Sequence, residues 1–271
     1  KWYDFEAALA LEQAELGIIP HAAAQEIAAK AKIANVDVEA IAAEIRRIKH
    51  PLVPALKAVE KLCKDGAGEY IHFGPTTQDV LDTAVVLQMK EAHAIYLRDM
   101  KGIGQALYKL AEAHKATPMV GRSHGVQALP ITFGHKAAIW LSEMGRNYGR
   151  LRQLEPRVFV GGMVGAVGTQ SSYGPKAREL EQRLMKRLGL GVADINWQPA
   201  RDRFAEYVCV LAIIGQTIGK IANEIVNLEH TELGELFEPF SEGKVGSSTI
   251  PHKRNPSSCQ AGVGEARAPR S

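Results

Sequence analysis

Two long stretches of the chain carry apolar positions that step by alternating threes and fours. Val86, Met89, His93, Tyr96, Met100, Ile103, Leu107 and Leu110 form one series; Phe204, Val208, Leu211, Gly215, Ile218, Ala222 and Ile225 form the other. That near-heptad spacing gathers the positions on one face of a long helix. The prolines agree: residues 76–117, 131–155 and 200–238 contain none. Helices average about 11–12 residues, so uninterrupted runs of this length predict long bundle helices. Gly215 and Ala222 would let a neighbouring helix approach closely. Alternation with period two is nearly absent, so the predicted fold class is all-α. The histidine, tyrosine and methionines of the first series read as core.

Shorter helices are predicted before the first long one, over 2–17, 20–33, 36–49 and 54–64. Gly17 and Pro20 provide the stop after the first of them. Residues 118–130 read as a non-helical crossing, 161–174 as a Gly/Ser-rich loop and 175–188 as a surface helix. The expected division is an N-terminal helical domain over 1–73, a central bundle over 74–256, and an atypical tail over 257–271. In that tail Gly262, Gly264 and Pro269 stand where a helix would be expected, without apolar period, so poor packing is expected there.

Composition narrows the function classes. The 271 residues carry 23% charged and 46% hydrophobic side chains, ordinary values for a soluble globular protein. A net charge of +3 without a dense basic block does not argue for nucleic acid. No apolar run approaches the ~20 residues of a membrane span, and the chain opens inside an amphipathic pattern rather than a signal peptide. The three cysteines, Cys63, Cys209 and Cys259, are far apart and lack metal-site spacing. They read as reduced thiols of a cytoplasmic protein.

Three polar loops carry the candidate chemistry. The run Gly246-Ser247-Ser248-Thr249-Ile250-Pro251-His252-Lys253-Arg254-Asn255-Pro256 cannot be a long helix. It offers hydroxyls, backbone N–H groups and cations suited to a lid over an anion. The run His72-Phe73-Gly74-Pro75-Thr76-Thr77-Gln78-Asp79 precedes the first long helix. Thr76 or Thr77 would cap that helix, with Asp79 and Asp82 at its positive end, and the same N-terminus could bind an anion. The third run is Gly121-Arg122-Ser123-His124-Gly125, followed by Gln127 and Leu129-Pro130-Ile131-Thr132-Phe133-Gly134.

The order Gly-Ser-Ser-x-x-Pro-x-Lys-x-Asn-Pro resembles the signature loop of the fumarase/aspartase superfamily. Its members eliminate across a succinyl C–N or C–O bond to release fumarate. His252 and Arg254 resemble the adenylosuccinate lyase and carboxymuconate cycloisomerase branch. The 71–84 and 121–134 runs resemble that family's first and second regions, with Thr77 where serine is usual. Gln127 and Leu129 look more like the cycloisomerases, whereas His124 stands where adenylosuccinate lyases carry their proton-transfer histidine. His50 matches a further active-site histidine, and Gln198 lies near a substrate-binding glutamine. Arg201 and Arg203 would bind a phosphate or carboxylate, or equally start a helix ion-paired with Asp202 and Glu206.

The resemblance implies a lyase without metal or organic cofactor, acting on a dicarboxylate, most specifically adenylosuccinate. A cycloisomerase-like enzyme and an inactive truncated member are the alternatives. It further implies a homotetramer whose sites combine regions of different subunits, and a third helical domain beyond the loop. Ser247, preferred over Ser248, is implied as the base. His124 would protonate the leaving group with help from His50, and Lys253 and Asn255 would stabilise developing charge. His72, Thr76, Thr77, Asp79, Ser123, Gln198, Arg201, Arg203 and Ser248 complete the implied substrate-binding set.

Overall fold

The computed structural model describes residues 1–239, 247, 249–250 and 252–266. Its helices are α1 (Trp2–Glu15), α2 (His21–Lys30), α3 (Val38–Ile48), α4 (Val53–Glu60), α5 (Thr77–Ala113), α6 (Phe133–Val158), α7 (Ala177–Leu188), α8 (Asp202–Leu228) and α9 (Ser257–Glu265). A hairpin of β1 (Pro118–Ser123) and β2 (Val126–Thr132) joins α5 to α6. The fold is the expected helical one. Two compact units divide it: Lys1–Ala94 with Glu155–Arg203, and Ile95–Leu154 with Phe204–Ser271.

In the first unit, α1, α2 and α4 share a core that includes Tyr3, Ile19, Ile27 and Val59. The Tyr3 hydroxyl, buried with its ring, donates to the Ala55 carbonyl at 3.0 Å. Helix α7 docks on α1 through Arg187, whose Nε donates to Glu12 at 2.5 Å, and Lys176, which donates to the Leu16 carbonyl at 2.6 Å. Helix α3 starts on Asp37, which accepts from the Ala40 amide at 3.0 Å, an ordinary N-cap.

In the second unit, α6 and α8 are joined by polar contacts: Lys136 with Glu224, Lys220 with Glu143, and Asn147 Nδ2 to Thr217 Oγ1 at 2.9 Å. Helix α8 is long and apolar enough in composition to cross a bilayer, contrary to the sequence estimate. Its charges paired with α6 make it a bundle helix. Its buried face runs through Tyr207, Ile214, Thr217 and Ala222, while Val208 of the expected seam is 53% exposed.

Three local expectations are corrected. The 118–130 crossing contains most of an antiparallel hairpin, turned by His124 and Gly125 at φ 54° and 76°. Two positive φ values in a two-residue turn suit the twist of paired strands. At Gly121 a Cβ would lie 2.6 Å from the Leu129 carbonyl oxygen, so only glycine fits opposite it. Helix α6 runs past Pro156 to Val158. Proline there withholds one backbone donor, but only from the last turn of the helix. Helix α8 fills most of the proline-free run 200–238, as expected, and stops at Leu228, where the chain reverses: Glu235 and Leu236 amides donate back to the Leu228 carbonyl at 2.9 and 3.3 Å.

The tail, finally, contains α9. Glu238 accepts from the Ser258 and Cys259 amides at 3.3 and 2.7 Å, satisfying the helix start. Small residues then bring α9 close to α8. A Cβ on Gly262 would meet Ala222 Cβ at 3.8 Å, and one on Gly219 would meet the buried Ala266 Cβ at 2.7 Å. Glycines that weaken a helix intrinsically here permit its docking.

Candidate active site

The start of α5 is organised by Asp79, whose surface is 0% exposed. Its Oδ1 accepts from the Val164 amide at 2.9 Å and from Gln198 Nε2 at 2.8 Å. Its Oδ2 accepts from the amides of Thr76 and Gly165 at 3.1 and 3.0 Å, and from the Tyr173 hydroxyl at 2.9 Å. The Thr76 contact is half of a capping box, an acid three residues into the helix reaching back to the N-cap amide. Burial first, and then the neighbouring Asp79, push the Tyr173 hydroxyl well above its ordinary range, so it stays a donor. Thr83 adds a second anchor, donating to the Gly162 carbonyl at 3.1 Å and accepting from the Gly162 amide at 2.9 Å. The 161–174 loop is thereby fixed on the first turns of α5. The chain's own donors occupy the Asp79 carboxylate, and Gln198 turns its amide to Asp79.

The segment entering α5 is held as firmly. His72 adopts φ 57°, in the left-handed region. Glu6 of α1, 1% exposed, meets it twice: Oε2 accepts the His72 amide at 3.1 Å, and Oε1 lies 2.6 Å from ring Nδ1. Gln13, two turns along α1, donates to the Phe73 carbonyl at 2.6 Å, and Ser172 donates to the Gly74 carbonyl at 2.6 Å. Thr76 and Thr77, half-buried, sit at the N-cap and first residue of α5. Asp82 Oδ1 accepts from Arg201 at 2.9 Å and from Gln78 at 2.7 Å. Arg203 donates to the Arg157 carbonyl and lies 3.9 Å from Asp194. His50 Nδ1 accepts from the Val53 amide at 3.1 Å, ahead of α4. Thus His72, Thr76, Thr77, Asp79, Gln198 and Arg201 form one connected neighbourhood in the first unit.

In the second unit, Ser123 closes β1 and His124 is the first residue of the hairpin turn, both exposed. Just behind them Arg122 makes a two-pronged ion pair with Glu235, Nη1 to Oε2 at 3.0 Å. The guanidinium hydrogen bonds hold the Glu235 carboxyl below its usual range. Of the signature loop, Ser247 Oγ accepts from the Thr249 and Ile250 amides at 3.4 and 3.2 Å. Lys253 is exposed and its amide donates to the Ile250 carbonyl at 3.0 Å; Asn255 is half-buried. Gly246, Ser248 and Pro251 lie outside the described residues.

Sequence reasoning missed Glu6, Gln13 and Tyr173. Glu6 and Gln13 left one signal: they are polar residues at helical spacing with buried Leu9 on the inward face of α1.

The sequence model of a family described as a lyase matches residues 2–268. N-acetyl-S-(2-succino)cysteine lyase of Enterococcus italicus is 51% identical over 93% of this chain and 55% of its own length. Adenylosuccinate lyase of Pyrococcus abyssi is 44% identical over 98% of this chain and 59% of its own length. The crystal structure of 3-carboxy-cis,cis-muconate lactonizing enzyme from Pseudomonas putida superposes with a TM-score of 0.92 at 35% identity, covering 99% of this chain and 60% of that one. The chain thus spans somewhat over half the length of the relatives it matches.

Proposed function

The chain belongs to the lyase family, and on that premise we propose that it releases fumarate from a 2-succinyl adduct by elimination. A base takes the proton from the carbon next to the distal carboxylate. The electron pair forms the C=C bond, the C–S or C–N bond breaks, and the leaving atom is protonated. The proton removed is weakly acidic, so the carbanion needs donors where its charge accumulates.

The observation that carries this reading is the Ser247 hydroxyl oxygen facing the Thr249 and Ile250 amides. Amide donors on that oxygen favour its alkoxide, the form able to act as base. His124 returns a proton to the leaving atom, a step to which an imidazole on an exposed turn is suited. Lys253 and Asn255 stabilise the developing charge. The rigid neighbourhood of Thr76, Thr77 and His72 orients the substrate carboxylates.

A succinyl thioether such as N-acetyl-S-(2-succino)cysteine is the first substrate to test, following the more similar of the two curated relatives described above. The arginines that would meet a nucleotide phosphate are engaged by their own chain, Arg201 with Asp82 and Arg203 with the Arg157 carbonyl. Adenylosuccinate is the second reading. It rests on Arg201, whose side chain is 48% exposed and could still offer a donor to phosphate.

The site is completed by further copies of the chain. This assembly is supported by apolar side chains left exposed along long helices of the second unit, among them Ile95, Tyr108, Ile139 and Val208. The test follows by absorbance, side by side, fumarate release from the thioether and from adenylosuccinate, and the loss of the conjugated diene of carboxymuconate as it lactonises. Release from the thioether supports the reading. Turnover of carboxymuconate alone would move the chain to the cycloisomerases.

A further inference from the structure

The contact between Glu6 and His72 does something that the neighbouring contacts do not. The backbone of the entering segment is already fixed by Gln13 on the Phe73 carbonyl and Ser172 on the Gly74 carbonyl. Glu6 adds a hold on the imidazole ring. The chain keeps a carboxylate 1% exposed to make it, and keeps a histidine in the left-handed region, a conformation disfavoured for residues with a Cβ. Such a pairing of buried acid and strained histidine is costly, and sits at the edge of the candidate substrate site.

The geometry fixes which nitrogen bears the proton. An ionised carboxylate only accepts hydrogen bonds. Glu6 Oε2 accepts the His72 backbone N–H, and Oε1 faces Nδ1 at 2.6 Å. Nδ1 therefore carries the proton. Nε2 makes no hydrogen bond among the described residues, and the side chain is 19% exposed. The ring thus offers Nε2 outward with a free lone pair when neutral.

We propose that Glu6 is a positioning residue that locks His72 in the Nδ1–H tautomer, so that Nε2 is the atom presented to the substrate. The substrate part of this rests on the lyase reading above; the tautomer part does not. Glu6→Gln makes a sharp test. An amide cannot accept at both positions, and the backbone N–H cannot reverse its role. The glutamine oxygen must face the backbone and its NH₂ must face the ring. The ring then has to accept at Nδ1 and carry its proton on Nε2.

The experiment is long-range 1H–15N correlation on chain labelled with ring-15N histidine, at a pH where the ring is neutral. The His72 signals are assigned by their loss in His72→Gln. The expected result is Nδ1–H in the wild-type chain and Nε2–H in Glu6→Gln. Fumarate release from the thioether should fall about 10- to 100-fold in kcat/KM, as when the carboxylate behind a metal-bound histidine is removed. The loss should lie mainly in KM, because His72 meets the bound substrate as well as the transition state. A wild-type ring protonated at Nε2 overturns the proposal without needing the variant to fold. So does a folded Glu6→Gln chain with the altered tautomer and wild-type kinetics. If the wild-type chain releases no fumarate at all, the lyase reading falls, and the two spectra still decide whether Glu6 sets the tautomer.

Discussion

Around the start of α5, the polar groups Asp79, His72, Gln198 and Arg201 are held by partners within their own unit. At the hairpin turn and in the signature loop, by contrast, Ser123, His124 and Lys253 are exposed. The first region is wired by several contacts between distant residues, up to 119 positions apart; in the second, the ion pair of Arg122 with Glu235 braces the hairpin behind its turn, while Ser247 bonds locally to the Ile250 amide. The difference separates two tasks. A substrate frame must be rigid before the ligand arrives, because preorganised donors cost nothing to reorient. In the proposed mechanism, the groups assigned to proton transfer, Ser247 and His124, are on turns rather than in that frame.

The largest expected effect follows from the rigid side. Asp79→Asn leaves an NH₂ facing amide and hydroxyl donors that the carboxylate now accepts. It should lower unfolding stability by roughly 3 kcal/mol or more, read as the denaturant midpoint. Lys253→Ala, on the open side, should stay within about 0.5 kcal/mol. Equal losses from the two would erase the contrast.

A smaller effect is expected where α9 approaches α8. Gly219→Val places side-chain atoms where a Cβ alone would already lie 2.7 Å from Ala266. It should cost about 1–3 kcal/mol by overpacking and expose residues 257–266 to proteolysis. Resistance equal to wild type would mean that α9 is not docked by these small residues.

The smallest effect is a pH dependence. Burial acts to raise the Glu238 carboxyl, but the hydrogen bonds from Cys259 and Ser258 outweigh it and leave its pKa below the ordinary value of 4.5. A folded-state pKa below the unfolded one means stabilisation that is present above the unfolded value. It is lost as pH falls through the folded one. Protection of α9 against proteolysis should therefore weaken in acid below about 4.5 in wild type. In Glu238→Gln it should already be weaker at neutral pH and lack this acid step.

The long helices were legible because proline-free runs and three-four spacing are local signals: α5 spans Thr77–Ala113 within the proline-free run 76–117. The end of α8 was not, since the chain turns back at Gly234, at φ 59°, five residues before the next proline. The hairpin escaped because β2 is exposed over most of its length, so no buried face imposes an apolar alternation. Its one local mark is the His124-Gly125 pair. In the candidate site the motif residues were readable as runs, and their environment was not. Glu6 lies 66 residues from His72, and Tyr173 lies 94 from Asp79. Only the folded chain brings such pairs together, and the inward-facing polar residues of α1 are the sole trace they leave in sequence.

The central claim is that Ser247 removes the proton, and replacing each loop serine in turn tests it most directly. Steady-state fumarate release should be measured for Ser247→Ala and Ser248→Ala beside the wild-type chain, with melting temperatures recorded for all three. The account predicts that Ser247→Ala loses about 10²- to 10⁴-fold in kcat. KM and melting temperature should change little, because a group used mainly in the transition state affects turnover more than binding. Ser248→Ala should lose less. Near-normal turnover in Ser247→Ala with collapse in Ser248→Ala would contradict the assignment and move the base one residue along; normal turnover in both would remove a serine base from this chain.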